Sequence, residues 1–234
     1  GGETCDWYCS SASPDSSLLP WWKDPEMKLW NISDILNCTA YWNDDPPVRD
    51  SPAWAYARGA YIAIVGPDQA EFPPDVFGSG FAADTVEVRV SEEKGRGLFA
   101  TAPFRAGGRV WEDHFTACFD DGMEYRRFLA SLPADLACDV LDWAYSGTEY
   151  GVCVDLDEGS LINHAASTEE NRVHWQTDHE TPNIMVDPET GLHVATVDIR
   201  PGEELLIDYR LFGEKDSYDL LGLGTWENSG LDDG

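Results

Sequence analysis

Ala195-Thr196-Val197-Asp198-Ile199-Arg200-Pro201-Gly202-Glu203-Glu204-Leu205-Leu206-Ile207-Asp208-Tyr209 is the stretch that decides the fold of this chain. It reads as a strand, a type II turn at Pro201-Gly202 and a second strand ending on a tyrosine. Leu205 and Ile207 alternate with Glu204 and Asp208, which predicts Tyr209 on their interior face. Glu203, Glu204 and Asp208, on their chemistry alone, read as a solvated edge. Upstream, Ser160-Leu161-Ile162-Asn163-His164 ends an apolar run in an Asn-His pair. Further upstream stands Lys94-Gly95-Arg96-Gly97-Leu98-Phe99-Ala100. Its glycines allow turn dihedrals and close approach of backbone to a ligand; alone they predict a hairpin turn. No Gly-Lys-Ser/Thr follows, so this is not a phosphate loop.

In this order and spacing the three segments resemble the signature segments of the SET domain, the fold of the protein-lysine methyltransferases. The resemblance covers about residues 84–212. It implies an α+β, mostly β fold of short strands and small sheets. Its knot-like C-terminal segment threads under a loop and so brings Asn163, His164 and Tyr209 together. It also implies S-adenosylmethionine as cofactor, wrapped by backbone at Lys94, Gly95, Arg96, Gly97 and Leu98, with Asn163 and His164 at its adenosine part. Tyr209 would be both the catalytic tyrosine and a cofactor contact. The activity implied is lysine N-methylation of a basic segment such as a histone tail. The alternative is a catalytically retired scaffold serving as a binding or structural subunit of a larger assembly. Ala165-Ala166-Ser167 stands where the family usually has Ser or Cys and then Pro-Asn. No Cys follows Cys153, so neither the family's cysteine-rich zinc cap nor any metal is expected. Phe212 and Trp226 in the tail either complete the lysine channel or anchor the C-terminus.

Charge narrows the partners. Against 15 Lys and Arg stand 44 Asp and Glu, a net −29 spread through the whole chain. Such a field repels nucleic-acid phosphates and steers Lys-rich segments; it also serves plain solubility. No apolar run approaches the ~20 residues of a membrane span. The start at Gly1 reads as a processed or truncated form.

The six cysteines are Cys5, Cys9, Cys38, Cys118, Cys138 and Cys153, with no CxxC pair. Cys5, Cys9 and Cys38 share a segment with two glycosylation sequons, Asn31-Ile32-Ser33 and Asn37-Cys38-Thr39. Buried free thiols in an intracellular protein, nuclear or organellar, are the first expectation. Disulfides in a secretory compartment are the second.

Residues 1–83, rich in Trp and Pro, hold six of the ten tryptophans and predict an irregular, aromatic-anchored extension packed on the core,. The apolar run at 60–65 reads as a buried strand. From 84 a hairpin opens on Val86, Val88 and Val90. A helical insert is expected at about 122–146, starting its second helix at Pro133. Short strands follow at 152–156, 184–186 and 192–197, and an aromatic, acidic tail fills 213–234.

Overall fold

Asn37 sits where two helices meet. Its left-handed backbone (φ 60°) ends α1 (Leu29–Leu36) and starts α2 (Cys38–Trp42), a conformation Asn tolerates better than most residues. α3 (Ser51–Val65) begins at Asp50, whose carboxylate accepts from the Ala53 N–H, with Pro52 in the first turn,. This helix absorbs residues 60–65, which the sequence predicts as a strand. An apolar run that short does not separate strand from buried helix. The cap at Asp50 and the helical spacing of buried Trp54, Ala57, Arg58 and Tyr61 decide the matter. The computed structural model describes residues 20–44, 46–70, 72–73, 77–91, 94–147, 151–165, 181–209 and 217–224. The extension expected to be irregular is therefore largely helical between 29 and 65.

β1 (Val86–Ser91) and β2 (Gly95–Ala100) form the antiparallel hairpin, in register from Val86 opposite Ala100 to Ser91 opposite Gly95. Gly95 and Gly97, expected in the turn, lie inside β2. The alternation in β1 is incomplete too: Val90 is 72% exposed. β3 (Arg109–Trp111) and β4 (Thr116–Phe119) lead to α4 (Gly122–Ser131), which Asp121 caps at the Met123 and Glu124 N–H groups. α5 (Ala134–Trp143) starts after Pro133. Then come β5 (Tyr145–Ser146), β6 (Val152–Asp155), β7 (Asn163–His164), β8 (Ile184–Val186), β9 (His193–Ala195), β10 (Leu206–Ile207) and α6 (Ser217–Leu220). The strands make two small antiparallel sheets, β3-β9-β8 and β4-β6-β5, the hairpin, and a parallel pair β10-β7. This is an α+β fold of short strands; the N-terminal helices add to its helical share.

Two apolar clusters fill the interior. One gathers α1, α3, α4 and α5 on β4 and β6, around Tyr61, Phe119, Tyr125 and Phe128. Tyr61 meets Phe119 edge to face at 5.1 Å, a favoured ring geometry. The other gathers Leu98, Trp111, Ile184, Ile199, Leu205 and Ile207. Buried Arg58 donates to the carbonyls of Leu156 (2.8 Å) and Gly78 (2.7 Å), its guanidinium 3.5 Å from the centre of the Phe115 ring. The four cysteines among the described residues are paired, Cys38 with Cys138 and Cys118 with Cys153. The free-thiol expectation is overturned for Cys38, whose partner lies one hundred residues away. Among the described residues no helix is long and apolar enough to cross a membrane.

Trp54 links α3 to the insert. It is 1% exposed and packs on Trp143 with ring centres 5.3 Å apart. Trp54→Ala is expected to lower unfolding free energy by about 3–5 kcal/mol, read by chemical denaturation. Trp54→Phe should cost well under half of that, since it keeps a ring and removes an indole N–H that has no hydrogen-bond partner among the described residues.

Candidate active site

The C-terminal stretch has two partners in succession. It first joins β2: Gly202 N–H donates to Ala100 (2.7 Å), Ala100 N–H to Glu203 (2.9 Å) and Leu205 N–H to Leu98 (2.8 Å). It then leaves β2 and, as β10, pairs in parallel with β7, Leu206 opposite Asn163 and Ile207 opposite His164. The buried side chains of Leu205 and Ile207 hold this crossing in the second apolar cluster. Asn183 clamps it from the far side. Its carboxamide donates to the Glu204 carbonyl (2.7 Å) and accepts from the Leu206 N–H (2.9 Å).

This crossing sets the site. The Asn163 carboxamide donates to the backbone carbonyl of Arg96 (3.2 Å) and to the Glu204 carboxylate (2.7 Å). A side chain at position 97 would strike both groups and force them to shift, so Gly97 serves their close approach here, not a turn,. Lys94 Nζ lies 3.7 Å from the same carboxylate. Glu204 is thus no solvated edge, and neither is Asp208, which is buried. Glu204 is drawn in beside β2, opposite Phe99, by its bonds to Asn163 and Lys94, and Asp208 directly follows the strand paired with β7. The Arg96 side chain points away from Asn163: it stacks on Trp143 (5.0 Å), and donates to the Pro47 carbonyl (3.0 Å) and to Asp139 (2.6 Å).

Tyr209 N–H donates to His164 Nδ1 (3.1 Å), and the two rings lie 5.2 Å apart. The Tyr209 hydroxyl donates to the Ile162 carbonyl (2.7 Å). The residue as a whole is 46% exposed rather than interior, because β10 ends at Ile207 and the alternation ends with it, while its hydroxyl end is partly buried. Burial around the hydroxyl pushes its pKa well above the usual tyrosine value, helped by the carboxylates of Asp142, Asp155 and Glu204. The fold therefore brings together Gly97, Asn163, His164 and Tyr209, with Lys94 at the edge through Glu204. Gly95 and Leu98 follow as parts of β2. Phe212 and Trp226 lie outside the described residues. Among the described residues no cluster of His, Cys, Asp or Glu is arranged to hold a metal ion.

Residues 95–210 match the SET domain family model. These residues are a SET domain. A curated relative, N-lysine methyltransferase KMT5A-A of Danio rerio, is 33% identical over 132 residues, which is 54% of this chain and 35% of the relative. The chain thus spans about a third of that relative's length. Among solved structures, polycomb repressive complex 2 of Chaetomium thermophilum in an autoinhibited conformation bound to S-adenosylmethionine is 24% identical, with 64% of this chain and 17% of that chain covered and a TM-score of 0.35. CpSET8 from Cryptosporidium is 16% identical, with 77% and 96% covered and a TM-score of 0.34.

Two carboxylates of this SET domain escape the motifs. Asp139, on α5, is fully buried and bridges the Arg49 and Arg96 guanidiniums at 2.6 Å each, while accepting from the Tyr41 hydroxyl at 3.0 Å. Asp155, at the end of β6, accepts from the hydroxyls of Thr116 (2.5 Å) and Tyr145 (3.2 Å). The helical periodicity of α5 marks Asp139 as neither apolar nor catalytic, and nothing in sequence joins it to Arg96. The strand expected at 152–156 is the one available signal for Asp155.

Burial raises the Asp155 pKa from 3.8 to about 7, with Asp157 and Asp113 adding to the shift against the two hydroxyls. The folded state therefore holds a proton that the unfolded chain releases. Stability is favoured below the unfolded value and falls as pH rises from about 4 to about 7. Asp155→Asn keeps an acceptor for both hydroxyls and removes the titration. The parent should lose up to about 4 kcal/mol relative to this variant across that window, and nothing more above it. Denaturation curves at a series of pH values check this; a constant difference from pH 4 to 7 would show that Asp155 is ionised throughout.

Proposed function

We propose that this chain is an S-adenosylmethionine-dependent protein-lysine N-methyltransferase whose substrate is a Lys-rich protein segment. The observation that carries the reading is the convergence of Asn163, His164 and Tyr209 on β2 through the parallel pairing of β10 with β7, inside the segment that matches the family. The cofactor, when bound, supplies a sulfonium methyl group. The residues present suit it: a glycine-lined strand edge at Gly95 to Leu98, the Asn163 carboxamide, and the half-buried Glu204 carboxylate beside them, a match for a ligand carrying cationic groups. Asn163 and His164 would hold the adenosine part, and the backbone of Lys94 to Leu98 the remainder.

The lysine amine must arrive neutral, against an ordinary lysine pKa of about 10.4, and desolvation in a narrow channel favours that form. Tyr209 is not its base, since its own hydroxyl is held protonated. A hydroxyl that already donates to the Ile162 carbonyl meets an amine as an acceptor, and so orients the lone pair along the line of transfer. Aligning amine, sulfur and methyl as a whole is worth roughly 7–11 kcal/mol in favourable cases, and Tyr209 would supply one part of it. Phe212 and Trp226 are the proposed walls of the channel.

One observation favours the second reading, a retired scaffold acting as a subunit of a larger assembly. The Asn163 carboxamide and the Glu204 carboxylate are bonded to one another across Gly97. A ligand at that strand edge must exchange those bonds for its own.

Titration calorimetry with S-adenosylmethionine and its demethylated product, followed by radiolabelled methyl transfer to a panel of basic proteins, separates the readings. Binding and transfer are expected. Tyr209→Phe should then lower turnover by about a hundredfold or more, while costing only about 0.5–1.5 kcal/mol of stability. Binding without transfer in the parent selects the scaffold; no binding removes the cofactor assignment.

The acidic field should act on the encounter. For a basic peptide the apparent affinity is expected to fall as salt rises past the ionic strength at which the Debye length is about 8 Å. A Michaelis constant unchanged by salt would assign the net −29 to solubility.

A further inference from the structure

We propose that Asn37 is an acceptor for an N-linked glycan, and that the protein matures in an oxidising, glycosylating compartment. The inference does not rest on methyl transfer. The two sequons are equivalent in sequence, and the structure separates them. In Asn31-Ile32-Ser33 the triplet lies inside α1, with Ser33 buried and the Asn31 side-chain oxygen accepting from the Lys28 N–H. An enzyme that must grip both the amide and the hydroxyl would have to unwind that helix and pull Ser33 out of the core.

Asn37-Cys38-Thr39 is built the other way round. Asn37 and Thr39 are exposed, and Cys38 between them is fully buried. Asn37 breaks the chain between α1 and α2 with a positive φ, and its side chain makes no capping bond. The triplet therefore turns the carboxamide and the hydroxyl to solvent at a corner and turns only the cysteine inward. N-linked glycans are bulky and solubilising, and need such a surface position.

The cysteines are the independent observation. Among the described residues all four are paired, one pair joining α2 to α5 and the other joining adjacent strands β4 and β6. Pairs of this kind persist in oxidising compartments and are rare where glutathione keeps thiols reduced.

The chemistry balances with two co-reactants. The Asn37 amide nitrogen attacks the anomeric carbon of a lipid-diphosphate-linked oligosaccharide. A C–N bond forms, the C–O bond to the diphosphate breaks, the lipid diphosphate leaves, and the amide proton passes to a base of the transferase. Each disulfide forms as two thiols lose two protons and two electrons to a disulfide oxidant, which becomes a dithiol. If the chain also methylates lysine, its substrate is a Lys-rich segment that shares this compartment.

The test uses the full chain isolated from the cells that make it, alkylated before lysis. Peptide mapping is run with and without release by peptide-N-glycosidase in heavy-oxygen water. The expected result is a heavy-oxygen aspartate at position 37, an unmodified Asn31, and Cys38 and Cys138 unreactive to alkylation until reduced. In the same cells Asn37→Gln and Thr39→Val should each abolish the gel shift caused by the enzyme, and Asn31→Gln should leave it unchanged. An unmodified Asn37 in the isolated chain, a glycan on Asn31 alone, or alkylated free thiols at Cys38 and Cys138 overturns the proposal. None of these outcomes bears on the calorimetry or the methyl-transfer assay.

Discussion

The carboxylate of Asp139 ties the helical side of the molecule to the strand that lines the site. An anion with no exposed surface is tolerable only with charged partners and filled acceptor positions, and Asp139 has Arg49, Arg96 and the Tyr41 hydroxyl. Burial and that same carboxylate push the Tyr41 pKa up to about 12, so its hydroxyl stays a donor. Arg49 also reaches Asp135, one turn earlier on α5, at 2.8 Å. One residue before Asp139, Cys138 is bonded to Cys38. Within a short stretch, then, α2, the connection to α3, α5 and β2 are fixed to one another. Removal of either guanidinium would leave a buried charge without enough partners, which is more costly than the pair is stabilising.

This arrangement explains why the N-terminal helices are not an ornament on the SET domain. Arg96 offers its guanidinium to Asp139 and its backbone carbonyl to Asn163. The first bond belongs to the helical side and the second to the crossing of β10 and β7. Whatever shifts α5 shifts the strand edge at which a ligand would lie. The Trp54–Trp143 pair acts in the same direction, because Trp143 is also the ring beneath Arg96.

The parts legible in the sequence are those in which backbone chemistry dictates residue type. Pro201-Gly202 had to be a turn, and Gly202 has φ 92°. Asn163-His164 and Tyr209 were readable because their order and spacing belong to a known pattern, and Pro133 announced α5. What escaped depends on distant partners. Asp139 is one acid among 44 Asp and Glu, and only folding brings it to Arg96. Glu204 and Asp208 look solvated by alternation because the pattern does not reveal that the stretch lies first against β2 and then against β7. The run at 60–65 has no period of its own, and its helix is decided ten residues earlier at Asp50. Cys38 had its sequence neighbours Cys5 and Cys9 in view, while its partner lies on a helix one hundred residues on.

If the chain methylates lysine as proposed, its acidic composition sets a tension at the site. Carboxylates that gather a lysine side chain also hold its proton on, since an opposite charge within a few ångströms favours the ammonium. A site built only of carboxylates would collect substrate and keep it unreactive. The geometry at Tyr209 avoids this. Its hydroxyl donates to a neutral dipole, the Ile162 carbonyl, while Asp142, Asp155 and Glu204 act on it as charges. Of these, Asp155 is partly neutralised near pH 7 by burial, and Glu204 is engaged by Asn163 and Lys94. On the proposed reading, attraction would be left to the surface, where water and salt screen it, and the last few ångströms to dipoles and desolvation, which would favour the neutral amine that a displacement at sulfonium requires.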